Sequence, residues 1–227
     1  MSALGAVPFH DKQYWQDRFQ KETHFEWLLQ WQDLKPMILP YLKNSEPILH
    51  LGCGNSMLAF DLADCGFRSV VNIDYAANVV AQMQELVRQR QNPVYDHLTW
   101  QEADCLDDLG FLLKQQPQGF AVVIDKSLSD TIACGDDDNQ TCQQRLSQQI
   151  ASVTRVGGVW LSISFSGERK HDCLIQGIQL WTHEKVIPIR VPQPNDKAGA
   201  PDIYYYLYVN RRKASKDFGN DDRGTIY

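Results

Sequence analysis

Apolar positions along this chain change period several times, and each change marks an element. Residues 11–20 (DKQYWQDRFQ) and 25–43 (FEWLLQWQDLKPMILPYLK) carry aromatic and aliphatic residues at helical spacing. Pro36 and Pro40 divide the second stretch into a helix, a break and another short helix. ILHL (48–51) then reads as a buried strand, and Leu58, Leu62, Ala59 and Ala63 give i, i+4 pairs that stop at Gly66. SVVNID (69–74) is a second strand, and Val79, Val80, Met83, Leu86 and Val87 form a helical stripe ending before Asn92-Pro93.

HLTWQEAD (97–104) and the almost wholly apolar GFAVVIDKS (119–127) continue the alternation of strand and helix. Leu146, Ile150 and Val153 predict a helix before a Gly157-Gly158 turn, and VWLSISFS (159–166) a fifth strand. WTHEKVIPIRV (181–191) and IYYYLYVNRRK (203–213) read as an antiparallel hairpin at a sheet edge. The tail, 214–227, is polar and glycine-containing, and is expected to be mobile. The fold class is therefore α/β: a Rossmann-like, doubly wound sheet, mostly parallel, with an antiparallel C-terminal hairpin.

Composition narrows the partners. The 227 residues suit one domain, and 43% hydrophobic with 22% charged residues is ordinary for a globular chain. A net charge of -6 argues against nucleic acid as the main partner. The N-terminal MSALGAVPFHDK lacks a secretory pattern, and no stretch reaches eighteen consecutive apolar residues, so neither export nor a membrane partner is expected. Six cysteines without a C-x-x-C pair predict neither a metal site nor a disulfide framework and suit the cytoplasm.

Ligands of such sheets sit at the carboxyl ends of the strands, near the switch point. Strand one there delivers Gly52-Cys53-Gly54, strand two Asp74, strand three Asp104, and strand four Asp125-Lys126. Glycines let backbone pass close under a ligand, and an acid ending strand two can accept the hydroxyl protons of a ribose. Each has a plainer use, as a turn, a helix cap or a loop acid. Their coincidence on successive strands favours a nucleoside site. Met57 stands where a dinucleotide fingerprint would need its third glycine, which disfavours a nicotinamide dehydrogenase.

LHLGCGNS, NIDYAANVV, EADCLD, VVIDKSLSD and RVGGVWLSISF together resemble the motif series of class I, seven-strand S-adenosylmethionine-dependent methyltransferases. With the upstream YWQDRF and FEW, the resemblance narrows to the enzymes that methylate lysine on translation elongation factor 1-alpha or on citrate synthase. It covers roughly residues 12–165. It implies an N-terminal helical lid (1–45), a methyltransferase domain (46–213) and a tail. It also implies S-adenosylmethionine as cofactor and S-adenosylhomocysteine as product. Trp15, Phe19 and Trp27 would close over the cofactor, with Gly52 and Gly54 against its methionine moiety. Asp74 would hold the ribose beside Tyr75, and Asp104 the adenine amino group, with Cys105 adjacent. Asp125 and Lys126 are the candidate catalytic residues shaping the acceptor pocket, Lys126 equally a cofactor contact.

Three departures stand out. His50 occupies the place where many such enzymes carry an acid. Ser127 replaces the glycine of a [DE]KGT signature, and GDDDNQ (135–140) forms an acidic loop, read first as a solvated helix entry. The absence of N-P-P-Y after strand four lowers amide or adenine methylation. His171 and His183 are further bases on paper only. The expected function is protein-lysine methylation on a target such as elongation factor 1-alpha. The alternatives are a small-molecule methyltransferase on the same fold and a non-catalytic nucleoside-binding protein.

Overall fold

A computed structural model describes residues 7–135, 139–169, 174–175, 178–191 and 202–214. The acidic positions 136–138, His171 and the tail beyond residue 214 lie outside them.

Strands β1 (Ile48–Leu51), β2 (Val70–Asp74), β3 (Leu98–Glu102), β4 (Phe120–Lys126) and β5 (Thr154–Ser164) run parallel. A small ribbon of β6 (Leu174–Ile175) and β7 (Ile178–Gln179) leads to β8 (Trp181–Arg190), and β9 (Tyr204–Arg212) closes the order. The main sheet reads β3-β2-β1-β4-β5-β9-β8, with β9 antiparallel to both neighbours. The expected hairpin is thus present, with β8 at the edge.

Successive strand residues point to opposite faces, and that alternation divides the core in two. Ile48, Val70, Val122 and Leu161 pack with α3 (Leu58–Asp64), α4 (Ala77–Arg90) and the N-terminal aromatic residues. Leu49, Val71, Val123 and Trp160 pack with Leu146 and Ile150 of α6 (Asn139–Val153). The entry segment joins the first of these cores through Trp15 and Phe19 of α1 (Lys12–Phe19) and Leu34 and Ile38 of α2 (Trp31–Ile38).

Three expectations need correction. Residues 25–30 are not helical; the chain there is extended and bent, and α2 starts only at Trp31. A short helix not expected, α5 (Leu128–Ala133), follows β4 at once. Gly157-Gly158 is no turn before β5 but lies within it. Pairing jumps from Phe120↔Thr154 to Val122↔Val159, so the surplus residues bulge out, Gly157 at φ 76, while both flanks stay on β4.

Candidate active site

The switch point lies between β1 and β4, which pair from Ile48↔Val122 to Leu51↔Asp125 and whose outer neighbours run in opposite directions of chain order. The carboxyl ends of these two strands open into a cleft of about 590 Å3. Its floor is the loop after β1. Gly52 and Gly54 sit at φ 55 and 49, a region that other residues enter only at a cost. A Cβ on Gly52 would come within 2.9 Å of Leu128, and one on Gly54 within 3.2 Å of the Phe19 ring. Backbone conformation therefore calls for glycine at both positions, and a side chain there would also press on Leu128 and Phe19.

Asp74 ends β2 beneath this loop. Its Oδ2 accepts the Gly54 N–H at 2.9 Å and its Oδ1 the Ala76 N–H at 3.0 Å. Capping and site-building are thus one arrangement. Burial pushes its pKa up to about 6 against the pull of those amides. A carboxylate offers about four lone-pair sites, so acceptor capacity remains for a hydroxyl donor. Tyr75 lines the same wall.

The roof comes from the entry segment. Trp15, Phe19, Phe25 and Trp27 all line the cleft. Arg18 explains the spacing of YWQDRF: its guanidinium donates to Tyr14 Oη at 3.0 Å, pairs with Glu22, and lies 4.9 Å from the ring centroids of both Phe25 and Trp27. The two motifs thereby form one aromatic plate.

Lys126 and Glu26 make a buried polar tie between roof and core. Their side chains are 3% and 7% exposed and form an ion pair, and Lys126 Nζ also donates to the Trp27 carbonyl at 3.1 Å. Glu26 accepts the Ser56 hydroxyl at 3.0 and 2.9 Å and the Met57 N–H as well. Burial lowers the Lys126 pKa, and Glu26 opposes that shift. His50 lines the cleft beside them, its Nδ1 3.2 Å from Asn72 Oδ1. Burial, with the charge of Lys126, pushes its pKa down to about 4.

The structure thus brings Trp15, Phe19, Trp27, Gly52, Gly54, Asp74, Tyr75 and Lys126 around one cleft. It does not bring Asp125 there. That carboxylate is fully buried, accepting Trp160 Nε1–H at 2.7 Å, Ser129 N–H at 3.1 Å and the Ser129 hydroxyl at 3.1 Å. Strand alternation turns it away while Lys126 faces the cleft. Asp104 and Cys105 also stand outside the cleft wall. Asp104 pairs with Lys12, whose ammonium is 5.4 Å from the Tyr75 ring centroid, and Cys105 is buried, which raises its thiol pKa. Residue-by-residue reading passed over Glu26, although FEW held it in view, and over Phe25, Ser56 and Thr131. Among the described residues no three His, Cys, Asp or Glu side chains converge as metal ligands, and no helix is long and apolar enough to cross a membrane.

Comparison with known proteins agrees with this architecture. A family model described as a methyltransferase domain matches residues 42–209. Methyltransferase srdJ of Neurospora crassa is 32% identical over 223 residues, covering 93% of this chain and 89% of its own length. The eEF1A lysine and N-terminal methyltransferase of Mus musculus is 32% identical over 162 residues, 70% of this chain. That match spans only 22% of the mouse protein. Among solved structures, an S-adenosylmethionine-dependent methyltransferase of Anabaena variabilis superposes with a TM-score of 0.63 at 10% identity, covering 92% of this chain and 96% of that one. The [4+2]-cyclase SpnF shares the fold with a TM-score of 0.58 at 11% identity, covering 86% of each chain, so fold alone does not fix chemistry. The family match does: the chain belongs to the methyltransferase family and is a seven-strand, S-adenosylmethionine-dependent methyltransferase.

Proposed function

We propose that the protein is a lysine N-methyltransferase acting on a protein substrate, of the kind the mouse relative's name gives as eEF1A. The observation that carries this reading is the lack, among the described residues lining the cleft, of a side chain poised as a base. Asp74 already holds two amides, Lys126 is paired with Glu26, burial raises the Tyr75 pKa, and His50 is held at about 4. A hydroxyl acceptor would need a base within hydrogen-bond reach. An amine needs only to lose its proton, and a dry pocket favours its neutral form.

The cleft suits the cofactor in its glycine floor and in the spare acceptor capacity of Asp74. When bound, S-adenosylmethionine supplies an electrophilic methyl group on a sulfonium sulfur. Gly52 and Gly54 let the backbone pass close to the methionine moiety, and Asp74 takes the ribose hydroxyls. Tyr75 flanks the adenine. Asp104, outside the cleft wall and paired with Lys12, would have to leave that pair to reach the adenine amino group. Cys105 borders that end. Trp15, Phe19 and Trp27 exclude water, and Lys126 with Glu26 pins this roof shut. Asp125 is a positioning residue that orients α5 against β4 and β5.

A small-molecule acceptor is the second reading. Near full-length similarity to the Neurospora protein leaves it open, because that protein's name specifies no acceptor. Tritiated S-adenosylmethionine with a cell extract separates the two. A labelled protein band, lost in Gly52→Arg, supports lysine methylation; label confined to the small-molecule fraction sinks it.

A further inference from the structure

Beside the cofactor cleft lies a second hollow of about 430 Å3 walled by Phe9, Trp15, Trp27, Leu28, Phe165 and Asp130. Trp15, Trp27, Ser127 and Thr131 border both spaces, so the two are neighbours across a shared wall. Among the described residues, three non-glycine positions have positive φ, and two of them, Leu28 at 64 and Ser127 at 71, line this hollow. The Leu29 N–H closes a tight turn about Leu28 by donating to the Trp27 carbonyl at 2.8 Å. Such strain in a bulky residue persists where surroundings enforce it, and it collects at ligand clamps.

We propose that this hollow is the acceptor subsite and that it recognises an alkylammonium group, methylated or not. This rests on the lysine reading and goes further, because it states how the acceptor's head group is held. Phe9, Trp15, Trp27 and Phe165 supply four aromatic rings, and Trp27 meets Phe9 and Trp15 at 5.7 Å in edge-to-face contacts. These rings already partner cations elsewhere. Arg18 lies 4.9 Å from the Trp27 centroid and 5.8 Å from that of Trp15, and Arg169 lies 5.4 Å from Phe165. Both guanidiniums are ion-paired, to Glu22 and to Asp130. Among the described residues no Lys, Arg or His lines the hollow, and the single charged one that does is Asp130, whose carboxylate is paired with Arg169. An aliphatic stem packs on such walls, and a cationic head gains from ring faces in a desolvated site. An anionic acceptor could pack its stem in the same way but gains nothing from the ring faces. The amine must be neutral at the moment of transfer, so the head-group preference belongs to the complex with S-adenosylhomocysteine, where no sulfonium opposes it.

Cys134 is free, exposed and on the rim of this hollow, and serves as the reporter. Protein saturated with S-adenosylhomocysteine is treated with a maleimide, and labelling of Cys134 is read by mass spectrometry. The probes are Nα-acetyl-trimethyllysine methylamide and its neutral isostere with a tert-butyl head. The ammonium probe should protect at a concentration at least tenfold lower than the isostere. Phe9→Ala and Phe165→Ala should each weaken that protection fivefold or more, with S-adenosylhomocysteine affinity unchanged by calorimetry. Equal protection by the two probes would overturn recognition of charge. No protection by either, with S-adenosylhomocysteine still bound, would remove the acceptor from this hollow. A failed extract assay would defeat the protein-substrate reading while leaving these curves as they are.

Discussion

Asp74 shows how one side chain serves fold and chemistry together. It accepts two backbone amides and lies at the cleft floor with a pKa of about 6. Hydroxyl donors of a ribose prefer the ionised form, so S-adenosylhomocysteine affinity should fall as pH drops through 6. The expected loss is about tenfold between pH 7 and pH 5, as the ionised fraction falls. In Asp74→Asn calorimetry should show weak binding that no longer varies across this range; an unchanged pH profile would misplace the ribose. Ser127, where the resembling enzymes have glycine, sits at φ 71. Relief of that strain, about 1–2 kcal/mol, outweighs the added freedom of the unfolded chain, about 0.5–1 kcal/mol. Ser127→Gly should therefore raise the urea midpoint slightly, whereas Ser127→Val should lower it. His50 ties pH to stability rather than to affinity. Its folded pKa of about 4 lies below the unfolded value near 6.5, so the unfolded state binds more protons between them and stability falls as pH falls through that window. His50→Gln should lose about 2 kcal/mol less stability than the parent between pH 7 and pH 5, measured by denaturant titration.

At the scale of elements, the segment before α2 is held to the sheet by polar ties as much as by its aromatic rings. Glu26 reaches Lys126 at the end of β4 and Ser56 in the loop before α3, while the Asn55 side chain donates to the Glu22 carbonyl at 3.1 Å. Removing one partner of a buried pair leaves an uncompensated charge, at about 3–5 kcal/mol. Glu26→Gln should thus destabilise the protein more than the double change Glu26→Gln with Lys126→Met. Additive thermal shifts from the two single changes would show that the pair is not coupled. Helix α5 has a similar dependence. Six residues are too few to stand alone, and Asp125, Ser129 and Trp160 fix it across two strands.

For the whole molecule, parallel strands bring polar residues to one rim while α3, α4 and α6 cover the two faces of the sheet. Much of this was legible beforehand. ILHL, VVNID and FAVVIDK announce themselves as buried strands, and the glycines and Asp74 mark where the first two of them end. The errors are local and share a cause. Residues 25–30 satisfied a helical pattern, yet Trp27 is drawn instead toward Arg18 on the preceding helix and Glu26 toward Lys126, a partner distant in sequence. Asp125 and Lys126 looked equivalent as adjacent polar residues; only the orientation of β4 sends one into the core and the other into the cleft.

The sequence by itself determined the period of the parallel strands and of the longer helices, the glycine turn after the first strand and the acid that ends the second. Those are short-range properties, written in neighbouring residues by sterics and by burial. Tertiary structure decided which charges meet: Glu26 with Lys126 across 100 positions, Asp130 with Arg169, and Lys12 with Asp104. It also decided which aromatic rings wall the second hollow, because Phe9, Trp27 and Phe165 become neighbours only when the entry segment folds over the ends of the strands. Contacts between residues so far apart leave no periodic trace in the chain, and they exist only once the sheet has brought those residues to the same rim.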